Sequence, residues 1–390
     1  MNIAADAHTE GPSSYVRAAE LELREVSKRY PGQLIPAIEK LSFTVPAGEV
    51  CVLVGPSGSG KTTAMRLINR MIPISGGDIL LGGRSVLDRN PRELRREIGY
   101  VIQQIGLFPH RTIEENIATV PRLLGWPKAR IDARVAELWD LIGLRKDELS
   151  GRYPAQLSGG QRQRVGVARA LAADPPLLLM DEPFGAIDPI NRARLQDEFL
   201  RLQQQVRKTV VFVTHDIDEA IKIGDRIAIL REGGDLAQYD TPAEILRSPA
   251  DEFVAQFVGA DRGIKRLSLI ALEDLTLLVP DDSPRRDAPA TPVPRVPLTM
   301  SGRDALSLLL TSRATHLLVV DDDGAVRGNV TVELLHRRLA EDGAAAGTSA
   351  RAEPTAGGGT WVGAVSSDGL DGKRQAAEDV DGAAKARSGA

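Results

Sequence analysis

This sequence has only one cysteine, no long apolar run and no excess of positive charge. A single cysteine among 390 residues cannot form an intrachain disulfide, so a reducing cytosol suits the chain, and Cys51 is expected to be a small buried apolar residue. The longest wholly apolar runs, such as residues 177–180, are far shorter than the roughly 20 residues that cross a bilayer. We therefore expect the chain itself to stay out of the membrane.

The charge balance argues against a nucleic-acid partner. The formal net charge is −4 and the isoelectric point is about 5.9, whereas nucleic-acid binders need basic surface to neutralise phosphates. Residues 1–11 contain acidic residues and no apolar segment, so no secretory signal is expected. With 42% hydrophobic and 26% charged residues, the chain has ordinary globular composition and is long enough for two domains.

A glycine-rich segment matches every required position of the phosphate-binding pattern G-x-x-x-x-G-K-[ST]. It consists of Gly55, Pro56, Ser57, Gly58, Ser59, Gly60, Lys61 and Thr62. The apolar run at 50–54 before it predicts a buried strand, and a helix is expected to begin near Lys61. Lys61 would contact the β- and γ-phosphates of a nucleoside triphosphate, and the Thr62 hydroxyl could ligate Mg²⁺. The alternative is a glycine-rich turn with a chance lysine, but the predicted strand and helix favour the phosphate site.

Three further predicted strands end in polar residues that could take part in hydrolysis of a bound nucleoside triphosphate. The strand at 177–180 is followed by Asp181, a candidate Mg²⁺ ligand, and Glu182, a candidate general base; the alternative is a solvated pair of turn carboxylates. The strand at 210–214 leads to His215, which could donate to the γ-phosphate. The strand at 98–102 ends on Gln103 and Gln104, and a glutamine there could reach Mg²⁺ or the attacking water, or be a solvated loop amide.

A second anion site is predicted where a helix over 162–172 begins. The residues there are Ser158, Gly159, Gly160 and Gln161, which supply backbone N–H groups and a hydroxyl at a helix N-terminus. Elsewhere, strands are predicted at 21–26, 41–45 and 79–81, and residues 111–149 change to helical periodicity, with an amphipathic helix at 133–142. Tyr30 could stack on an adenine ring or pack at a strand end.

These motifs, in this order, resemble the ATP-binding-cassette (ABC) ATPase family over roughly residues 21–259. Leu-Ser-Gly-Gly-Gln at 157–161 is similar to the family signature. The resemblance implies an α/β fold of the P-loop NTPase class, with a RecA-like core sheet, an antiparallel β-subdomain and a helical subdomain at about 108–165. It also implies that ATP and Mg²⁺ bind through the phosphate loop with Thr63, that Tyr30 stacks on adenine, that Gln103 is the Q-loop glutamine, and that Asp188 lies in the loop between protomers.

The same resemblance supplies a phosphate for the second anion site. Cassettes of this family pair head to tail, so Ser158 and Gly160 of one chain would close over the ATP held by Lys61 of the other. A homodimer is therefore the expected active form, docked on membrane permease subunits at the cytoplasmic face and served indirectly by a solute-binding protein. Glu182, His215 and Gln103 would be its catalytic residues, and Asp181 would join Thr62 and Gln103 at the metal.

Finer resemblances suggest the solute. Residues 98–110 and 177–189 look like the corresponding segments in the ATPases of osmoprotectant importers, which move glycine betaine, choline, carnitine or proline. Importers of amino acids or polyamines share much of the sequence of these segments, so they remain an alternative. A cassette ATPase without a role in transport is a further alternative. The predicted order of domains is a disordered start (1–17), an ATP-binding domain (18–260), a linker (261–297), a module resembling a CBS domain (298–340) and a disordered tail (341–390). The alternative for 298–340 is a small α/β appendage without a ligand.

Overall fold

The computed structural model describes residues 17–103, 106–185, 187–277 and 293–349. Its strands are β1 (Leu21–Lys28), β2 (Ile38–Val45), β3 (Val50–Val54), β4 (Gly76–Leu81), β5 (Arg84–Ser85), β6 (Ile98–Val101), β7 (Leu177–Asp181), β8 (Thr209–Val213), β9 (Arg226–Leu230), β10 (Leu236–Asp240), β11 (Arg295–Pro297), β12 (Leu317–Val320) and β13 (Val326–Val330). Its helices are α1 (Lys61–Ile68), α2 (Pro91–Glu97), α3 (Ile113–Ile117), α4 (Thr119–Leu123), α5 (Lys128–Leu141), α6 (Lys146–Leu149), α7 (Gly159–Leu171), α8 (Pro189–Val206), α9 (Ile217–Ile223), α10 (Pro242–Arg247), α11 (Glu252–Val258), α12 (Arg262–Ser268), α13 (Gly302–Ser312) and α14 (Val332–Ser349).

A six-stranded sheet in the order β10-β9-β3-β8-β7-β6 forms the centre of the chain. The strands β9, β3, β8, β7 and β6 run parallel, and β10 pairs antiparallel with β9. Every residue of β3, β7 and β8 is buried, as expected for apolar strands covered on both faces. Because these strands are parallel, the polar residues that follow β3, β6, β7 and β8 are brought to one edge of the sheet.

The central sheet is covered by two different layers. Val50, Val52 and Val54 of β3 pack into the core formed with the helical region, whereas Cys51 and Leu53 pack into the core formed with α1 and the second sheet. That second sheet has the order β2-β1-β4-β5 and is antiparallel, as the sequence predicted. The strand predicted at 41–45 begins earlier, at Ile38, because Ile38 is also fully buried in this core.

The helical region lies between β6 and β7 along the chain. Thr112 begins it with a capping box, in which its hydroxyl accepts from the Glu115 N–H and the Glu115 carboxylate accepts from the Thr112 N–H. The amphipathic helix predicted at 133–142 is longer, since α5 begins at Lys128 and buries Ile131 and Trp139. In the described part of the chain, none of the helices is both long and apolar enough to span a bilayer.

The C-terminal region contains α13, β12, β13 and α14 in that order, and its sheet has the order β11-β12-β13. Two predicted boundaries are wrong. The expected linker at 261–297 contains α12 and β11, because Leu267, Ile270 and Leu272 pack into the same core as Val319 and Leu335. The expected tail from 341 contains the end of α14, which runs to Ser349. Most of the predicted linker's middle, the predicted disordered start to residue 16 and the tail from 350 lie outside the described residues.

Candidate functional site

The phosphate loop connects β3 to α1 and has a backbone conformation that requires glycine. Gly55 and Gly60 have φ values of 155° and 83°, and a Cβ on Gly55 would lie 2.2 Å from the Leu230 carbonyl oxygen. A Cβ on Gly60 would lie 2.5 Å from the carbonyl oxygen of Ala37, so the segment between β1 and β2 lies against the loop. Ser57 and Gly58 are exposed at the loop's tip, which leaves their side open to a ligand.

Lys61 is held inside this loop. Its Nζ donates to the carbonyl oxygens of Gly55 and Pro56, each at 2.8 Å, and lies 3.2 Å from the Ser59 Oγ. Burial lowers the pKa of Lys61, while the negative charges of Glu182 and Asp181 oppose that change. A buried ammonium held by neutral acceptors beside a helix N-terminus favours an anionic ligand with several oxygens, such as a polyphosphate.

Thr62 and Asp181 supply two oxygens at one place. The Thr62 hydroxyl lies 3.5 Å from the Asp181 Oδ1, where α1 begins and β7 ends. Burial raises the pKa of Asp181, and the charge of Glu182 raises it further. Mg²⁺ prefers oxygen ligands and usually binds one or two protein oxygens together with water and phosphate oxygens. This hydroxyl and carboxylate therefore fit a Mg²⁺ ion that also contacts a bound nucleotide.

We expect Asp181→Asn to increase the stability of the nucleotide-free protein at pH 7 by about 1 kcal/mol, the usual size of a stabilising substitution. The folded-state pKa of Asp181 is raised, so its stabilising contribution is present at low pH and is lost as the pH rises through that pKa. The advantage of asparagine should vanish below 3.8, the ordinary pKa of an aspartate side chain. Urea unfolding of both proteins at pH 7 and below pH 3.8 measures this difference in the free energy of unfolding.

Asp188→Asn is the matched control for that substitution. Hydrogen bonds from the Asn191 side chain and backbone hold the pKa of Asp188 below its usual value, so removing this charge should destabilise the protein at neutral pH. If both substitutions change stability in the same direction at pH 7, burial does not govern the ionisation of Asp181.

Two of the other predicted site residues contact the Glu182 carboxylate. Gln103 donates from Nε2 to the Glu182 Oε2 at 2.9 Å, and His215 Nδ1 lies 3.4 Å from the Glu182 Oε1. Glu182 has a φ of 44°, a conformation that non-glycine residues rarely adopt and that recurs at functional sites. Its N–H donates to the Val213 carbonyl oxygen at 3.0 Å, which fixes the end of β7 against the end of β8.

The second predicted anion site lies at the start of α7. Ser158 is the N-cap and forms a capping box, since its hydroxyl accepts from the Gln161 N–H at 3.2 Å and the Gln161 Oε1 accepts from the Ser158 N–H at 2.9 Å. Among the described residues, the Ser158 hydroxyl acts only as this acceptor, so its proton can be donated to a ligand. Ser158 and Gly159 are exposed, so this helix N-terminus is open at the surface.

Asp188 and Tyr30 lie on other elements. Asp188 is the N-cap of α8, where its carboxylate accepts from the Asn191 N–H at 3.1 Å and from the Asn191 side chain at 2.8 Å. Tyr30 follows β1, is partly buried, and has the Lys28 Nζ 5.0 Å from its ring centroid. The segment after Tyr30 is the one that contacts Gly60 through Ala37. The roles of both residues stay predictions.

Asp216 contributes to the site in a way that the sequence analysis did not assign. Its side chain caps α9 by accepting from the N–H groups of Asp218 at 2.9 Å and Glu219 at 3.3 Å. It thereby anchors the helix that immediately follows His215. An aspartate before a helix that begins at residue 217 is a recognisable N-cap signal, and a finer reading of the sequence could have found it.

Comparison with known proteins gives four findings, of which three concern the sequence. A family model described as "ABC transporter" matches residues 38–185. The chain is 49% identical over 313 residues to the osmoprotectant import ATP-binding protein OsmV of Salmonella typhimurium, covering 80% of this chain and 78% of that protein. It is 48% identical over 320 residues to the glycine betaine/carnitine/choline transport ATP-binding protein OpuCA of Bacillus subtilis, covering 81% and 79%.

A solved structure is also similar to part of the chain. A dimeric bacterial ABC transporter cassette is similar with 33% identity and a TM-score of 0.51. The match covers 57% of this chain and 98% of that cassette.

Proposed function

The chain belongs to the ABC transporter family of ATP-binding proteins, and from that membership we propose that it is the ATP-hydrolysing subunit of an importer for an osmoprotectant of the betaine, choline, carnitine or proline type. The observation that carries the solute class is the 49% identity to an osmoprotectant import protein over 313 residues. That length exceeds the ATP-binding region alone, so the likeness extends into the C-terminal region.

The phosphate loop and Asp181 support a role in binding Mg-ATP. Lys61 would contact the terminal phosphates with an ammonium that neutral carbonyl groups already orient. Thr62 and Asp181 would hold Mg²⁺, and Gln103 would complete its surroundings on the side of Glu182. Mg²⁺ bound there would neutralise charge that develops on the phosphates during transfer. Tyr30 would bind the adenine ring.

Glu182 is the proposed general base. Its carboxylate can orient the attacking water and accept its proton, while His215 would donate a hydrogen bond to the γ-phosphate. The hydrogen bond from Gln103 keeps one carboxylate oxygen in a fixed direction before substrate arrives. A group positioned in advance lowers the reorganisation needed during the reaction.

We propose that the working form is a homodimer in which the exposed start of α7 from one chain closes over the nucleotide of the other. Ser158 and the N–H groups of Gly159 and Gly160 form an open anion site with a hydroxyl proton to donate. Asp188 and its neighbours at the start of α8 would meet the partner chain. The dimeric state of the similar cassette supports this arrangement.

The proposed partners beyond the second copy are membrane permease subunits at the cytoplasmic face, with a solute-binding protein acting through them. Phe108 and Leu123 of the helical region are 39% and 62% exposed, so they offer apolar surface for a permease. Gln103 and this region would transmit closure of the dimer to the pore.

Reconstituted uptake tests the solute class. The complex of this protein with its permease and solute-binding protein, placed in vesicles with ATP, should accumulate at least one of glycine betaine, choline, carnitine and proline. Vesicles carrying Glu182→Gln provide the matched control without hydrolysis. Uptake of a polyamine with none of these four solutes would overturn the osmoprotectant assignment and leave the ATPase assignment standing.

A further inference from the structure

A buried lysine joins the C-terminal region to the ATPase core. Lys265 of α12 is 7% exposed, and its Nζ donates to the Val258 carbonyl oxygen at 2.7 Å. The same ammonium lies 3.2 Å from a carboxylate oxygen of Asp218 and 3.2 Å from one of Asp261. A buried ammonium is costly unless it is paired, so these contacts fix where α12 can lie.

The two carboxylates belong to different parts of the chain. Asp261 lies directly before α12, in the same part of the chain as Lys265, whereas Asp218 lies in the first turn of α9. Asp216 caps that turn, and His215, directly before it, lies 3.4 Å from Glu182. The ion pair between Lys265 and Asp218 is therefore connected to the proposed base through a short and hydrogen-bonded stretch of chain.

The opposite face of α12 belongs to the C-terminal core. Leu267 packs there with Leu335, and the Gly302 N–H at the start of α13 donates to the Ile270 carbonyl oxygen at 2.8 Å. A cavity of about 680 Å³ lies between α9, α12 and α13, and Lys265 and Asp218 form part of its wall. The ion pair thus spans the space between the C-terminal core and α9.

We propose that Lys265 is a positioning residue that ties the C-terminal region to α9 and thereby sets the rate of ATP hydrolysis through His215. This inference rests on the proposed function of the site. When α12 moves with the C-terminal core, Lys265 carries Asp218 and the start of α9 with it. Through this contact, a change in the position of the C-terminal region would change the positions of the residues around Glu182.

The matched pair Asp218→Asn and Asp261→Asn tests the proposal in the full-length chain. Both aspartates lie at the same distance from one ammonium, and their side chains are 60% and 56% exposed, so either substitution should leave the fold intact. Loss of one positioning contact should lower kcat for Asp218→Asn about fivefold, with the KM for ATP unchanged. Asp261→Asn should stay within about twofold of the wild type, because Asp261 lies directly before α12 and not on α9.

The conservative variant and a double substitution complete the test. Asp218→Glu retains a carboxylate and should recover most of the rate, and Lys265→Met combined with Asp218→Asn should be no slower than the slower single variant. Equal kcat losses for Asp218→Asn and Asp261→Asn would overturn the proposal, as would wild-type rates in both. A wild-type protein without ATPase activity would instead refute the proposed function.

Discussion

Glu182→Gln is expected to lower the rate of ATP hydrolysis by about 100-fold or more, the usual contribution of a general base. Glutamine keeps the size of the side chain and a carbonyl oxygen to accept the hydrogen bond from Gln103, so the geometry of the site should persist. It cannot accept a proton from water at neutral pH. The proposed ATP site is built from Lys61 and the phosphate loop, so ATP binding should be retained, and the ATP-bound dimer should accumulate in size-exclusion chromatography.

Glu25→Gln is the matched control for this experiment. Glu25 is an exposed glutamate of β1 with a φ of 46°, close to the 44° of Glu182, so the same chemical change is made elsewhere at another glutamate with positive φ. Its turnover should equal that of the wild type. If Glu182→Gln also hydrolyses ATP at the wild-type rate, another group removes the proton from water.

The central sheet and the phosphate loop were predictable because their signals are local. A continuous apolar run predicted β3, β7 and β8, and the pattern at 55–62 predicted the loop between a strand and α1. Parallel strands bring their ends together, so the convergence of Asp181, Glu182 and His215 on one edge followed from the strand assignments. The comparisons confirm the family and the fold class.

The contacts that depend on neighbouring elements were beyond sequence reasoning. The hydrogen bond between Gln103 and Glu182 joins residues 79 positions apart, and no local pattern specifies it. Likewise, no local pattern specifies the φ of 44° at Glu182 or the hydrogen bond from its N–H to Val213 of the neighbouring strand. The linker prediction failed for a related reason: α12 is short, and Leu267 packs in a core whose members extend along the chain as far as Leu335.

The proposed head-to-tail dimer predicts that two inactive variants restore each other. Gly159→Asp places a carboxylate at the start of α7, where a Cβ meets no atom within 4 Å and an acidic residue favours the helix. The variant should fold and bind ATP, but in the dimer its charge would repel the partner's nucleotide. Lys61→Met removes the contact with the phosphates while leaving the start of α7 intact. Each variant alone should lose hydrolysis by about 100-fold.

Mixing the two variants should recover hydrolysis, because a mixed dimer contains one site built from an intact Lys61 and an intact α7 start. Random pairing makes half of the dimers mixed, each with one of two sites intact, so single-turnover hydrolysis should reach roughly a quarter of the wild-type amplitude. Gly151→Asp adds the same charge at another open glycine and should be fully active alone. An absence of recovery in a mixture that demonstrably forms mixed dimers would mean that each chain completes its own site, since only shared sites allow one chain to supply what the other lacks.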